Sequence, residues 1–200
     1  MSPLVGRIER SLGPEVLATR VRIDDPWART PWRPARAAWR ALLRRAIGAA
    51  PRGTAFLTTD VRECYASIAP RTIERLIGPD AAGAVAILHR LADHGVRGLA
   101  VGPAPSAVLA NAALAPLDAA LRASGVRHVR WVDDLVAWGP RSDLERALAA
   151  LRVVASALGL DLHDGKTLVL DAPADVENVV LTRRTSLRVR DRTTGIIAAP

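Results

Sequence analysis

This 200-residue sequence is poor in several things that would direct its chemistry elsewhere. A single cysteine, Cys64, excludes an internal disulfide and cannot build a thiolate metal cage by itself. No apolar run approaches the roughly 18 residues of a membrane span. The opening MSPLVGRIERSLG has no apolar core of a signal peptide, so a cytoplasmic protein without a membrane partner is the expectation. His89, His94, His128 and His163 show no metal-ligand spacing, and Ser67 lacks a His/Asp partner pattern. Lysine is nearly absent: of 28 basic residues, only Lys166 is not arginine. Tyrosine also occurs once, as Tyr65.

What is present describes one compact domain with a substantial core, half of its residues being hydrophobic. The net charge of +8 favours a polyanionic partner, nucleic acid first among them. Abundant alanine beside the arginine offers a compositional alternative, codon bias, which the one retained lysine resists. Residues 1–53 are rich in Arg, Pro and Trp; Pro26, Pro31 and Pro34 mark a loop, and residues 35–50 read as a helix. Trp27, Trp32 and Trp39 alternate with arginines, as a stacking surface for single strands would, although packing in a core explains them equally well.

Beyond Gly53 the pattern alternates. TAFLTTDV reads as a strand. ASIAPRTIERLIG and AAGAVAILHRLADHG read as helices, each stopped by glycine. GLAVGPAPSAVLANAALAPLDAALRASG opens with a Gly/Pro turn and continues as a long helix. VRHVRWV and LVAWG suggest a hairpin around Asp133–Asp134. RSDLERALAALRVVASALG is a patterned helix with Ser142 and Glu145 placed as a capping box. LDLHD, KTLVLD, VENVVLT and SLRVRD are strand candidates. This order implies an α+β domain: one antiparallel sheet with helices packed on one face.

An adjacent aspartate pair is weak evidence by itself. With 14 aspartates in the chain, chance supplies about one such pair, and Asp24–Asp25, before Pro26, reads as a solvated loop. Asp133–Asp134 differs in context. It sits between two apolar strands, where aspartate is depleted, and it is not the Asn-Gly or Asp-Gly of a tight hairpin. A local rule broken inside consistent structure marks function. Asp60 repeats the pattern at the end of its own strand. Converging carboxylates repel unless a cation compensates. Hard oxygen donors without His or Cys suit magnesium, and a pair of such ions about 3.5–4 Å apart serves in-line displacement at phosphorus.

Four segments, in order, resemble the palm motifs of reverse transcriptases. LTTDVRECYASI resembles the first, GLAVGPAPSAVLANAALAPLD the second, RWVDDLVAWG the YxDD box and LGLDLHDGKTLVL the fourth. Trp131 stands where the box usually has tyrosine, and Ala104–Pro105 where many members carry Gln-Gly or a threonine. The resemblance implies a polymerase palm over residues 54–175, a short basic fingers region over 1–53, a primer-grip-like hairpin and tail over 176–200, and no thumb. It implies that Asp60, Asp133 and Asp134 bind two Mg2+ ions, with Mn2+ a substitute, and that Lys166 acts on the leaving pyrophosphate. Tyr65 becomes the steric gate against ribonucleotides, and Gly102 and Ser106 line the nucleotide and template site. Arg20, Arg22 or Arg33 would clamp the triphosphate. The implied activity is RNA-directed DNA polymerisation from dNTPs on RNA and DNA template and primer, with a second chain supplying the thumb and phage defence as a role. Two rivals stand beside it: a catalytically silent palm that binds nucleic acid or a partner protein, and a nucleotide cyclase.

Overall fold

The computed structural model describes residues 3–16 and 32–182. The apolar, β-branched run after Gly53 forms strand β1 (Ala55–Thr59). The two apolar runs flanking the aspartate pair form the hairpin strands β2 (Arg127–Trp131) and β3 (Asp134–Gly139). A short β4 (Leu168–Leu170) completes a four-stranded antiparallel sheet of order β2-β3-β1-β4. Strand β1 thus has a neighbour on each side, and all five of its residues are buried.

Eight helices surround the sheet among the described residues: α1 (Pro3–Ser11), α2 (Trp32–Gly48), α3 (Cys64–Ser67), α4 (Pro70–Ile77), α5 (Ala82–Asp93), α6 (Ala104–Ala123), α7 (Arg141–Leu158) and α8 (Pro173–Thr182). The strand period of two sorts the core into two layers. Ala55 and Leu57 of β1, with Leu135 and Ala137 of β3, pack with Leu114 and Leu117 of α6 and Leu144 and Leu151 of α7. The alternate residues, Phe56, Val129, Val136, Trp138 and Leu170, pack with Trp39, Leu43 and Ile47 of α2 and Val176 of α8.

The expected helices on one face are therefore corrected: helices cover both. The physical sign was in the strands, since AFL and LVAW run apolar without polar alternation, the pattern of a sheet buried on both sides. Trp39 is 2% exposed, a core residue and not a stacking surface; Trp27 lies outside the described residues.

Three local expectations also change. VENVVLT lies in helix α8 and not in a strand. Pro173 opens that helix, Asp175 sits in its first turn, and Val176, Val179 and Val180 recur at helical spacing on the core side. The hairpin expected from residue 176 is absent up to residue 182, and the remainder, including SLRVRD, lies outside the described residues. LDLHD contributes only a bridge between Leu162 and Val61. Helix α7 begins at Arg141 with Pro140 at its N-cap, so Ser142 and Glu145 do not form a capping box; the Ser142 hydroxyl donates instead to Asp143.

Phe56, at 1% exposure, tests the second layer. Phe56→Ala is expected to cost about 3–5 kcal/mol in chemical denaturation. A cost below about 1 kcal/mol would mean that α2 and α8 do not cover this face.

Candidate active site

Strand register assembles the carboxylates. The β1–β3 ladder ends with Thr59 paired to Leu135, so Asp60 directly follows the last paired residue of β1 and Asp134 directly precedes that residue's partner. In the hairpin Trp131 pairs with Asp134, leaving Val132 and Asp133 as its two central residues. Val132 holds φ at 54° and Asp133 does not share that sign. Positive φ at the first central residue alone is the pattern of a type II′ turn, a glycine position. A β-branched residue there is a strained outlier. Glu63 (φ 46°) is the other non-glycine with positive φ among the described residues, and it immediately precedes α3. Both strained positions flank the candidate site.

Helix α3 carries Cys64 and Tyr65. Burial, then the charge of Asp133, pushes the Cys64 thiol up to about 12, with Asp60 adding to the effect and Arg130 opposing it. Burial, then Cys64 and Asp133, pushes the Tyr65 phenol up to about 12. Tyr65 and Cys64 therefore lie within the field of Asp133, and both stay protonated near neutral pH. Gly98 secures the backbone of this turn. Its φ is +61°, and a Cβ there would meet the Tyr65 carbonyl oxygen at 2.3 Å; the adjacent Leu99 amide donates to that same carbonyl at 2.8 Å.

Lys166 ends a single 3-10 turn, Asp164–Lys166, and its Nζ donates to Asp60 Oδ2 at 2.7 Å. Two threonines of β1 seat this turn. The Thr58 hydroxyl donates to the Lys166 carbonyl, and the Thr59 and Thr167 hydroxyls share a hydrogen bond of 2.8 Å. The backbone joins in: the His163 amide donates to the Asp60 carbonyl, and the Arg62 amide to the Asp161 carbonyl. The Lys166 side chain keeps nearly half its surface in solvent, while that of Asp60 is buried.

Gly102, with φ +113°, is exposed just before α6, and Ser106 is buried in the first turn of that helix. Trp131 rests its ring 6.2 Å from that of Trp39, so α2 anchors the box from behind. Arg20 and Arg22, proposed clamps of a triphosphate, lie outside the described residues, as does the side chain of Arg33. Asp60 and Lys166 are thus in direct contact, with Asp133, Asp134 and Tyr65 at the same end of the sheet.

Sequence reasoning missed three polar residues in the apolar core beside the hairpin. Arg130 is 1% exposed and donates through Nε and Nη2 to both oxygens of Asp118, and through Nη1 to Asn111 Oδ1 and to the Val132 carbonyl. Burial alone would raise the Asp118 carboxyl, but hydrogen bonds and charge from Arg130 and His128 outweigh it and hold it below the usual aspartate range. Asn111 and Asp118, seven residues apart on one face of an Ala/Leu helix, were the available signal.

Among the described residues, no three His, Cys, Asp or Glu side chains already form a metal-holding group. The donor chemistry at this end of the sheet nonetheless suits magnesium, which takes one or two carboxylates and completes its shell with water and substrate phosphate.

No family model and no curated protein sequence matches the chain. Among solved structures it is similar to telomerase from Candida albicans, determined in complex with a TWJ fragment of telomeric RNA. The TM-score is 0.51 and the identity 12%, over 84% of this chain and 33% of that one. The chain therefore spans about a third of the telomerase chain. At this identity the likeness concerns the fold alone. No helix among the described residues is long and apolar enough to cross a membrane.

The buried Cys64 thiol should resist iodoacetamide in the native protein at about pH 8 and react once the chain unfolds. Native labelling at the rate of a free cysteine would contradict its burial beside Asp133.

Proposed function

We propose that the chain is a reverse-transcriptase-like nucleotidyltransferase, an RNA-directed DNA polymerase that adds dNMP to a 3′-hydroxyl. The observation that supports this most is that Lys166 from one motif donates to Asp60 from another, 106 residues away, while Asp60 follows the last residue of β1 paired with the strand that Asp134 opens. The telomerase-like fold is consistent with it.

In this reading Asp60, Asp133 and Asp134 hold two magnesium ions, for which manganese can substitute. The ions, when bound, activate the primer hydroxyl and neutralise the triphosphate. The chain's own residues position the reactants, which supplies much of the rate. Tyr65, neutral and fixed by Gly98 and Leu99, excludes the 2′-hydroxyl of a ribonucleotide. Lys166, held at the site by Thr58 and Thr59 with its head partly in solvent, donates to the leaving pyrophosphate. Gly102 and Ser106 border the nucleotide and template. The arginine-rich surface carries the RNA and DNA backbones, with a second chain as a further partner. A role in phage defence rests on resemblance to bacterial members alone.

One observation favours a second reading. Lys166 already neutralises Asp60, as it would in a silent palm that binds nucleic acid or a partner without catalysis.

Primer extension on RNA and DNA templates separates the two. Magnesium-dependent product is expected from the wild type, falling by about 10³-fold or more in Asp133→Ala. Absence of product from the wild type, alone or with co-purified partners, selects the silent reading. Product that survives Asp133→Ala removes the site assignment. Tyr65→Ala is expected to raise ribonucleotide incorporation roughly 10- to 100-fold relative to dNTP; unchanged selectivity would refute the gate.

A further inference from the structure

We propose that Arg130 is the positioning residue of the candidate site: its guanidinium holds the strained Val132–Asp133 turn in the conformation that presents the aspartate pair. This rests on the polymerase reading only for its catalytic consequence; the conformational part stands without it.

Arg130 lies in an edge strand, where an arginine would ordinarily reach solvent. Instead its side chain is buried against α6, and four of its five N–H donors are used within the fold. The two bonds to Asp118 are bidentate, at 2.8 and 2.6 Å, and fix the plane of the fork. The Asn111 oxygen, 3.0 Å from Nη1, fixes its rotation. That leaves the second Nη1 proton aimed at the Val132 carbonyl, 2.7 Å away. The backbone of Arg130 is held as well, its amide donating to the Glu15 carbonyl beside a parallel bridge to Val16. Every degree of freedom of this side chain is constrained, and its one bond not directed at α6 goes to the residue with the strained φ.

The target explains the need. A valine at φ 54° relaxes spontaneously toward ordinary backbone angles, which would rotate the peptide that joins it to Asp133. A glycine at that position would adopt the turn without help. The chain has valine there and a buried, charged donor on the carbonyl of that same peptide. Arg130 thus couples the rigid α6 helix to the orientation of Asp133, and a shift of about 1 Å at a reacting centre is enough to cost 10²-fold in rate.

The test uses Arg130→Lys, which keeps a charge for Asp118 but, as a single nitrogen, cannot serve Asp118, Asn111 and the Val132 carbonyl in one plane. The paired variant Arg130→Met/Asp118→Leu removes both buried charges together, a change that buried ion pairs often tolerate, and is used if the lysine variant fails to fold. Each is combined with Val132→Gly. Amide hydrogen exchange at residues 132–134 reads the turn directly, whether or not the wild type extends a primer. Exchange is expected to accelerate roughly tenfold or more in the Arg130 variant and to return toward wild type when Val132→Gly is added. Primer extension by the folded variant is expected to lose about 10²-fold in kcat with KM for dNTP little changed, and to recover with the same glycine. Unchanged exchange at the turn, or a loss that the glycine does not repair, would overturn the inference. Turn exchange that behaves as expected in a protein without polymerase activity would instead refute the polymerase reading and leave the coupling standing.

Discussion

The pairing of β1 with β3 is the constraint from which the rest of the molecule follows. Each strand is apolar on both faces, so neither can rest at an edge with one side in water. Burying them demands a helical layer above and another below, which α6 and α7 provide on one face and α2 and α8 on the other. The apolar pattern stops where Thr58, Thr59 and Asp60 begin, and the polar ends of the strands collect at one end of the sheet. A register slip by one residue would turn every core side chain to the wrong layer, so the same packing that stabilises the sheet also determines which residue faces Asp60.

The chemistry at that end is governed by charge compensation. Asp60 is buried, and a buried carboxylate is costly without a partner; Lys166 supplies one at 2.7 Å. Burial first, and then the charge of Asp133 among other neighbours, raises the protonation tendency of Cys64 and Tyr65. On the other side of the hairpin Arg130 is matched by Asp118. The candidate site therefore consists of carboxylates at one end of the sheet, backed by a buried ion pair in which four of the five Arg130 N–H donors are used. Strain is concentrated at Glu63 and Val132, between these groups and the rigid elements behind them, as happens where a fold trades stability for orientation.

Much of this was legible before any coordinates. Strands β1, β2 and β3, the long Ala/Leu helix and the patterned helix after Gly139 emerge where periodicity places them, because each carries a clean strand or helix signal over enough residues. The aspartates and Lys166 stood out because they break local rules of composition. What misled was β-branching without context: VENVVLT looks like a strand, but its Pro173 start and valine spacing serve a helix once a sheet face is there to cover. The single-faced sheet was an inference from element order, and the unalternating apolar runs in β1 and β3 argued against it.

By itself the sequence determined the candidate chemistry-bearing residues Asp60, Asp133, Asp134 and Lys166 and the strands and helices with a clean period, because composition and periodicity are local properties. Only the tertiary structure decided that Lys166 would rest on Asp60, that Thr59 would bond Thr167, and that Arg130 would turn inward to Asp118 and the Val132 carbonyl. The first two contacts join residues more than a hundred positions apart, and the third depends on which face of an edge strand meets α6. Those outcomes are fixed by register and two-sided burial, which no stretch of the chain encodes alone.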